Sequence, residues 1–439
     1  AELLNVAMIS VHTSPLARPG TADTGGMNTY VRELSRELGA RGLRVDTFTR
    51  QQLSSEPPVV EQAENVRVIQ VRAGSAEHLR KNQIYDALPE FAGNVEAYRL
   101  AAGLRYDLVH SHYWLSGSVG QRLARHWRVP HVSMFHTVAA AKHSNYPDDD
   151  SPQRWRAELE ILESADVVVV ASPHEKALMN HLSRESGARV VVIPCGVNLE
   201  HFRPMDKSAA KAKLGLSGKR VVLFVGRLVP LKGVDILVEA TARLSTLPNL
   251  QVVVVGGQGD GDVEGRRLRW LAEELNLDGR VRFEPAVDQS LLPVYYNAAD
   301  VCVMPSHYES FGMVATEALA CGTPVVASKV GGLPTIIRDR VNGLLVPWRC
   351  PQVFADRIAE VLTDETLRDS LQRQARQSVL HLSWSKIADE VLELYTSVLS
   401  EPIVKNSRQD RRLARNRRAR NTVGRCPERT VSDNIGRTE

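Results

Sequence analysis

The sequence predicts an α/β protein built from two doubly wound parallel sheets, one in each half of the chain. Short β-branched runs alternate with helical segments, and this alternation begins again after an interruption near residues 200–218. Runs such as Val167–Val170 are apolar without alternation, which is typical of strands buried on both faces of a parallel sheet. The length of 439 residues gives each half enough chain for a core of its own.

The predicted strands are short and rich in β-branched residues. In the first half they are Asn5–Ser10, Arg44–Thr49, Val66–Val71, Leu108–His110, His131–Phe135, Val167–Ala171 and Val190–Ile193. In the second half they are Arg220–Val225, Gln251–Val255, Val281–Phe283, Val301–Met304, Pro324–Ala327 and Gly343–Val346. Apolar spacings of three and four predict helices, the first marked by Met27, Tyr30, Val31, Leu34 and Leu38, the last at Pro351–Leu362, Glu365–Leu380 and Ser385–Leu399.

These elements divide the chain into four predicted segments. Residues 1–200 form a first domain, residues 201–384 a second, and the helix at 385–400 is expected to return to the first. Residues 401–439 carry a net charge of +6 and are predicted to be a disordered basic tail. A contact of this tail with nucleic acid or another anionic surface stays open.

The net charge of +4 is misleading, because residues 1–400 together carry −2 and give no indication of nucleic-acid binding. No apolar run approaches the ~18 residues needed to span a membrane. The N-terminal residues do not have the pattern of a secretory signal. The five cysteines are scattered, without a C-x-x-C pair, so we expect reduced thiols and a cytoplasmic location. A homodimer stays open.

The loop after the first strand runs from His12 to Asn28 and ends in Gly25-Gly26 at the start of a helix. Free N–H groups and the helix dipole favour a phosphate at such a position. A flexible turn with a helix cap is the alternative interpretation. The loop is neither a G-x-G-x-x-G fingerprint nor a Walker motif.

Two cations, Arg227 and Lys232, follow the first strand of the second half in the sequence Gly226–Gly233. An arginine in bidentate contact and a lysine acting as a point charge can together clamp a diphosphate. A lysine at a helix start opposes the helix dipole, so a purely structural role for Lys232 lacks a stabilising reason.

Two carboxylates, Glu309 and Glu317, lie on either side of the Phe311-Gly312 turn, in the loop and helix after Val301–Met304. They can contact separate parts of one extended polar ligand while the helix start faces its phosphates. A capping role for Glu309 is the structural alternative. Neither the scattered histidines nor Asp148–Asp150, which lies between prolines, forms a convincing metal set.

The G-R-x-x-x-x-K-G and E-x-F-G-x-x-x-x-E patterns resemble those of retaining, nucleotide-sugar-dependent glycosyltransferases of family four. These enzymes have the GT-B fold, with two Rossmann-like domains and a cleft between them. The H-T-S-P-L-x-x-P-G-T-x-D-T-G-G-M-N loop is similar to that of the D-inositol-3-phosphate glycosyltransferases of mycothiol biosynthesis. The resemblance covers residues 4–400.

The resemblance implies roles for individual positions. It assigns donor contacts to Arg18, Pro19, Gly26, Arg227, Lys232, Val287, Glu309 and Glu317. It assigns acceptor contacts to His12, Asp23, Thr24, Gly25, Gly26, Met27, Asn28, Lys81, Tyr113, Thr137 and Arg154, with Arg156 as an alternative register for the last. Catalysis would rest on Arg227, Lys232, Glu309 and His136 without a metal or other cofactor. A peripheral structural magnesium is a further candidate at Tyr296, Asn297, Ala299 and Thr323.

The resemblance therefore implies retaining transfer of N-acetylglucosamine from a UDP-sugar to 1D-myo-inositol 3-phosphate. Transfer to a hexose phosphate, as in sucrose-phosphate synthases, and another family-four activity are the nearest alternatives. A UDP-N-acetylglucosamine 2-epimerase and a non-catalytic sugar-nucleotide binder represent different classes. No carboxylate stands out as an enzymic nucleophile, so the paired-carboxylate scheme of glycosidases is not applied to Glu309 and Glu317.

Overall fold

The computed structural model describes residues 3–17, 25–53, 55–75, 77, 79–143, 152–182, 189–257 and 262–400, with only the backbone at 142 and 143. Within these residues the chain forms two sheets, each flanked by helices, which confirms the predicted α/β class with two doubly wound sheets. Residues up to Val398 form one compact unit.

The first sheet has eight strands in the order β3-β4-β2-β1-β5-β6-β7-β8. The strands are β1 Asn5–Ile9, β2 Arg44–Arg50, β3 Val59–Ala63, β4 Val66–Val71, β5 Leu108–His112, β6 His131–Met134, β7 Val167–Val170 and β8 Arg189–Val192. The helices are α1 Gly26–Ala40, α2 Lys81–Ala101, α3 Trp114–Trp127, α4 Ala139–His143, α5 Pro152–Ser164 and α6 Pro173–Leu182. All pairings are parallel except that of β3 with β4.

The second sheet has six parallel strands in the order β11-β10-β9-β12-β13-β14. The strands are β9 Arg220–Val225, β10 Leu250–Val255, β11 Val281–Glu284, β12 Val301–Met304, β13 Val325–Ser328 and β14 Gly343–Val346. The helices are α7 Lys207–Lys213, α8 Val234–Arg243, α9 Val263–Glu274, α10 Leu292–Ala298, α11 Met313–Ala320, α12 Leu333–Ile336, α13 Pro351–Thr363, α14 Glu365–Ala375 and α15 Trp384–Ser400.

Two predictions differ from the structure. The strand β3 has no counterpart among the predicted strands, because it is a half-exposed edge strand without a buried apolar face. The helix predicted at Glu365–Leu380 ends at Ala375, and a 3₁₀ turn at Gln377–Leu382 follows. The Leu382 carbonyl at the end of this turn accepts a hydrogen bond from Val197 N at 2.8 Å, so the turn is tied to the link between the halves.

The strand order reverses between β1 and β5 in the first sheet and between β9 and β12 in the second. In open α/β sheets, ligands bind at the carboxyl ends of strands where this reversal occurs. The loops after β1, β9 and β12 contain all three sequence motifs, so the topology places the motifs at both switch points.

The helix α15 packs against the first sheet although it follows the second in sequence. The Tyr395 hydroxyl lies 2.7 Å from His110 Nδ1 on β5, and the Trp384 ring centroid lies 5.3 Å from that of Tyr30 on α1. Both aromatic residues belong to one continuous apolar cluster that contains residues of both halves. The two halves therefore share a core on this side.

Candidate functional site

The start of α1 faces the second half of the protein. A Cβ placed on Gly25 would lie 3.9 Å from Arg227 Nε, and one placed on Gly26 would lie 2.9 Å from Met313 Sδ. Gly26 itself is exposed. The structure thus brings the Gly25-Gly26 turn and Arg227 together, as a shared diphosphate site requires.

Lys232 forms an ion pair with Glu309, and we call these two residues the clamp. Lys232 Nζ donates to Glu309 Oε1, and Ser306 Oγ donates to the same oxygen at 3.2 Å. The Lys232 side chain is 21% exposed and that of Glu309 is 13% exposed. The pair is therefore fixed in place but still open to a ligand, and the capping role considered for Glu309 does not account for these contacts.

Two glycines allow the clamp loops to pack closely. Gly233 has φ of 64°, and a Cβ there would lie 2.2 Å from the Pro305 carbonyl oxygen. Gly331 has φ of 52°, and a Cβ there would lie 1.9 Å from the Glu309 carbonyl oxygen, which also accepts a hydrogen bond from Gly332 N at 2.9 Å. A side chain at either position would displace the backbone next to the clamp.

Glu317 lines a cavity of about 200 Å³ between the two halves. The residues that line this cavity are Thr29, Glu33, Gly196, Val197, Asn198, His201, Phe202, Gln289, Ser290, Met313, Glu317 and Trp384. Tyr296 donates a hydrogen bond to Glu317 Oε2 at 2.7 Å. Burial raises the pKa of Glu317 to about 7, although this hydrogen bond opposes the shift. Val287, two residues before the lining residue Gln289, packs against the shared core.

The predicted acceptor side chains gather around the ring of Tyr113. Lys81 Nζ lies 5.8 Å and Arg154 Cζ 5.3 Å from the ring centroid, and the His12 ring centroid lies 4.5 Å away. Arg154 also donates to the carbonyl oxygen of Thr137 at 2.9 Å and to its hydroxyl at 3.2 Å. Five residues from separate segments thus converge on one place, and we call them the acceptor cluster: His12, Lys81, Tyr113, Thr137 and Arg154.

The charges at the acceptor cluster are two cations, Lys81 and Arg154, with the carboxylate of Glu158 paired to the second. Arg154 is buried and donates to Glu158 Oε1 at 2.7 Å, whereas Lys81 is exposed and so is the alternative residue Arg156. Burial, with the nearby charges of Lys81 and Arg154, lowers the pKa of His12 to about 3, so this imidazole is neutral near pH 7. Arg154 rather than Arg156 thus lies beside Tyr113 and Thr137, and its contact with an acceptor stays a prediction.

Asn28 holds Thr13 and Ser14, which follow β1, against the start of α1. Its amide donates to Thr13 Oγ1 and to the Ser14 carbonyl oxygen, the latter at 2.7 Å. Its Oδ1 accepts a hydrogen bond from Gly25 N at 3.2 Å. Met27 is half-buried between the two apolar clusters that include first-sheet residues. Asn28 thus shapes the glycine turn from inside the protein.

His136 lies at the end of β6 and contacts a second histidine. Its Nε2 is 2.9 Å from His112 Nδ1, and its ring centroid is 5.0 Å from that of Tyr30. Burial, with the neighbouring His110 and His12, lowers the pKa of His136 to about 3. Its φ of 59° places its backbone in a conformation that few non-glycine residues adopt. His136 therefore has a neutral imidazole near pH 7 and a constrained backbone.

Some of the predicted site residues lie outside the part of the chain that the structure describes, and others have roles that their contacts leave untested. Arg18, Pro19, Asp23, Thr24, Asp148–Asp150 and the tail 401–439 lie outside the described residues. At the candidate magnesium positions, Asn297 Oδ1 accepts from Met205 N at 2.7 Å, and Thr323 Oγ1 donates to the Tyr296 carbonyl oxygen at 2.6 Å. Asn297 Nδ2 also bonds to the Pro293 carbonyl oxygen, and Ala299 N to those of Tyr295 and Tyr296. A magnesium ion at these hydrogen-bonded positions stays a prediction.

Sequence reasoning missed three residues beside the site: His112, Glu175 and Tyr308. Tyr308 donates to Glu175 Oε1 at 3.3 Å from the opposite half of the protein. Glu175 follows β7 closely, so a search for carboxylates after strand ends would have found it. Nothing in the sequence pairs it with Tyr308.

Among the described residues, no group of three or more His, Cys, Asp and Glu side chains is arranged to hold a metal ion. Within the same part of the chain, no helix has the length and apolar character needed to cross a membrane.

Two family profiles match the chain in succession. The family described as Glycosyltransferase Family 4 matches residues 24–201, and the family described as Glycosyl transferases group 1 matches residues 206–378. The D-inositol 3-phosphate glycosyltransferase of Kineococcus radiotolerans is 42% identical over 416 residues, which are 90% of this chain and 96% of that protein. The protein of the same name from Geodermatophilus obscurus is 44% identical over 409 residues, 90% of each chain.

Solved structures give the same architecture. Sucrose-phosphate synthase from Thermosynechococcus elongatus superposes with a TM-score of 0.84 at 37% identity, covering 90% of this chain and 99% of that one. Anabaena HepE in complex with UDP and glucose superposes with a TM-score of 0.71 at 21% identity, covering 90% and 100%. These likenesses confirm that the two sheets have the GT-B arrangement.

Proposed function

Since the chain belongs to the glycosyltransferase family that contains the D-inositol 3-phosphate glycosyltransferases, we propose that it transfers N-acetylglucosamine from UDP-N-acetylglucosamine to 1D-myo-inositol 3-phosphate with retention of configuration. The observation that supports this most directly is the acceptor cluster, in which two cations and two hydroxyl groups converge at one strand-end site. A phosphorylated polyol offers a dianion and several hydroxyls to such a set.

We propose that the donor diphosphate binds between the exposed Gly26 turn and the side chains of Arg227 and Lys232. The N–H groups at the start of α1 and the two cations would stabilise the negative charge that develops on the β-phosphate as UDP departs. Glu309 is expected to accept hydrogen bonds from hydroxyls of the donor sugar. Glu317 is expected to hold the ribose, since its carboxyl group lines the adjacent cavity.

In the proposed step, the bond between the anomeric carbon and the phosphate oxygen breaks, and the acceptor oxygen bonds to that carbon from the same face. The leaving phosphate takes the acceptor's hydroxyl proton, so no enzymic carboxylate is required as nucleophile. His136 is expected to lie beside the reacting carbon, where its neutral ring adds no positive charge next to the developing cation. The acceptor cluster holds the acceptor's phosphate away from this centre.

The clamp variants Lys232→Ala and Glu309→Ala test the assignment with UDP-N-acetylglucosamine and inositol phosphate. Each is expected to lower kcat/KM by about 100-fold or more, because a preorganised charge contact is lost. The matched control is Lys213→Ala, an exposed lysine on α7, which should keep the wild-type rate. Near wild-type rates in both clamp variants would contradict the assignment.

A hexose phosphate is the second candidate acceptor, because sucrose-phosphate synthase is 37% identical over nearly its whole length. The acceptor cluster would receive the phosphate of either compound. A matrix of UDP-sugars against inositol phosphate and hexose phosphates, with product masses and anomeric linkage determined, separates the two. Epimerised sugar without acceptor would indicate the 2-epimerase, and donor binding without turnover would indicate a non-catalytic binder.

A further inference from the structure

The residues that immediately precede Lys232 and Glu309 pack against the apolar core of the opposite half. Tyr308 is 4% exposed and belongs to an apolar cluster whose other buried members come from residues 7–190. Leu231 packs against the same cluster. Each clamp residue, Lys232 and Glu309, is therefore adjacent in sequence to a side chain that is anchored across the cleft.

The two loops are also joined to each other and to the first half by hydrogen bonds. His307 N donates to the Leu231 carbonyl oxygen at 2.8 Å. The Tyr308 hydroxyl donates to Glu175 Oε1 at 3.3 Å. Glu175 is 2% exposed, and its other oxygen accepts from Ala171 N, at the end of β7, at 3.0 Å. The carboxyl group thus connects the end of a first-half strand to the loop that carries Glu309.

We propose that Glu175 and Tyr308 are positioning residues that set the clamp by anchoring its loops in the first half of the protein. This inference rests on the proposed function, since it assigns a role to the donor site. Consecutive Cα atoms are about 3.8 Å apart, so a shift of Tyr308 is transmitted directly to Glu309. The buried Tyr308 ring fixes how far the loop inserts into the first-half core. The directional hydrogen bond to Glu175 keeps the loop from shifting sideways.

We call the contacts of Tyr308 and Leu231 with the first half, including the hydrogen bond from Tyr308 to Glu175, the anchor. The anchor makes the geometry of the donor site depend on the half that carries the acceptor cluster. Lys232 and Glu309 belong to the second half, but their loops reach the catalytic arrangement only while Tyr308 occupies the first-half core. Separation of the halves would remove Tyr308 from Glu175 and release both loops together, because the His307–Leu231 bond couples them. The positions of both clamp residues therefore depend on contacts with the first half.

Tyr308→Phe tests this because it removes the hydroxyl and keeps the ring. A small misplacement of reacting groups can cost up to about 100-fold, so we expect kcat to fall about 10- to 100-fold. The KM for the acceptor should stay within about twofold, because the acceptor cluster is untouched. Glu175→Ala should lower kcat by a similar factor. Because both residues act through one hydrogen bond, the double variant should lose no more kcat than either single variant. Glu175→Gln keeps a hydrogen-bonding amide and should therefore retain most of the wild-type kcat.

The matched control is Tyr106→Phe. Tyr106 is also buried in the first half and donates to a carboxylate, Asp46 Oδ2, at 2.7 Å, but it lies in no clamp loop. We expect similar losses in Tm for the two tyrosine variants and a loss of kcat for Tyr308→Phe alone. Equal effects on kcat in both, or none in either, would overturn the positioning role.

Amide hydrogen exchange gives a second readout that does not depend on turnover. The amides of Gly332 and His307 bond to Glu309 and Leu231, so their exchange should accelerate in Tyr308→Phe and not in Tyr106→Phe. If the wild-type protein transfers no sugar, the proposed function fails while exchange still tests the anchor. If transfer occurs and Tyr308→Phe leaves both exchange and kcat unchanged, the anchor is wrong.

Discussion

Gly26 lies directly against Met313, so the first residue of α1 in one half meets the first residue of α11 in the other. A Cβ on Gly26 would come within 2.9 Å of Met313 Sδ. The starts of two helices, α1 and α11, are thus in contact through the Met313 side chain, and helix starts favour negative charge. A diphosphate placed there would receive the dipoles of both helices as well as the charges of Arg227 and Lys232.

Gly26→Ala is expected to weaken donor binding while leaving the fold intact. The flexible end of Met313 can move aside, so Tm should change little, but the added methyl group narrows the space proposed for the diphosphate between the two helix starts. We expect the KM for the UDP-sugar to rise about tenfold, equivalent to about 1.4 kcal/mol. Met313→Ala is the reference for the double variant, and its own KM is measured because Met313 also lines the cavity beside Glu317. If the double variant regains wild-type KM, the effect acts through Met313 rather than the ligand.

Gly331→Ala is expected to abolish most activity by displacing Glu309. Its Cβ would overlap the Glu309 carbonyl oxygen, in a backbone conformation with φ of 52°. Gly103→Ala is the matched control, because it has φ of 62° and open space around its Cβ. Both variants should lose about 1–2 kcal/mol from backbone strain, and Gly331→Ala should lose more because of the overlap, measured by denaturant unfolding. Only Gly331→Ala should lower kcat/KM, and equal activities would argue against a role for this close contact.

Asn28→Ala is expected to destabilise the loop after β1. Three hydrogen bonds, to Gly25, Thr13 and Ser14, are lost from a buried side chain, so unfolding should cost about 1–3 kcal/mol less. Asn94→Ala, which removes one exposed hydrogen bond to Arg72, should change the free energy of unfolding far less. Urea titration measures both. A stability loss no larger than that of Asn94→Ala would show that the loop holds its shape without Asn28.

Glu317 makes stability depend on pH in a specific direction. Its pKa is raised to about 7 in the folded protein from an ordinary value of 4.5, so the folded state keeps a proton that the unfolded state releases. The resulting stabilisation is complete below pH 4.5 and is lost as the pH rises through 7. Glu317→Gln should remove up to about 3 kcal/mol of this variation.

Thermal unfolding of wild type and Glu317→Gln between pH 4.5 and 8 checks this expectation. Burial raises the pKa of Glu175 in the same direction, so some pH dependence will remain in the variant. Parallel curves for the two proteins would show that Glu317 ionises normally in the fold.

The sequence indicated which strands the functional loops follow, because glycines and cations next to β-branched runs mark strand ends. Arg227 and Lys232 lie after β9, and Glu309 lies after β12, as predicted. Their mutual distances depend on how loops of different strands pack. The contact between Lys232 and Glu309 is a tertiary one that spacing in the sequence does not reveal.

Residues that act across the cleft were the hardest to anticipate. Tyr308 and Leu231 resemble ordinary apolar loop residues in the sequence, and their burial in the opposite half follows only from the packing of two domains. Glu175 looks like a helix-start carboxylate, which favours a capping role. The acceptor cluster was inferred from a resemblance, and the ring of Tyr113 supplies the physical reason why Lys81 and Arg154 gather there.

The helix α15 also bears on how the chain is made. Tyr395 and Trp384 complete the packing around His110 and Tyr30, yet the ribosome adds them after nearly the whole second half has been synthesised. Domains usually fold as units in the order in which they emerge. Until α15 has been synthesised, part of the inner apolar surface of the first domain is uncovered. We therefore expect nascent chains shorter than about 400 residues to be the species most in need of chaperone protection.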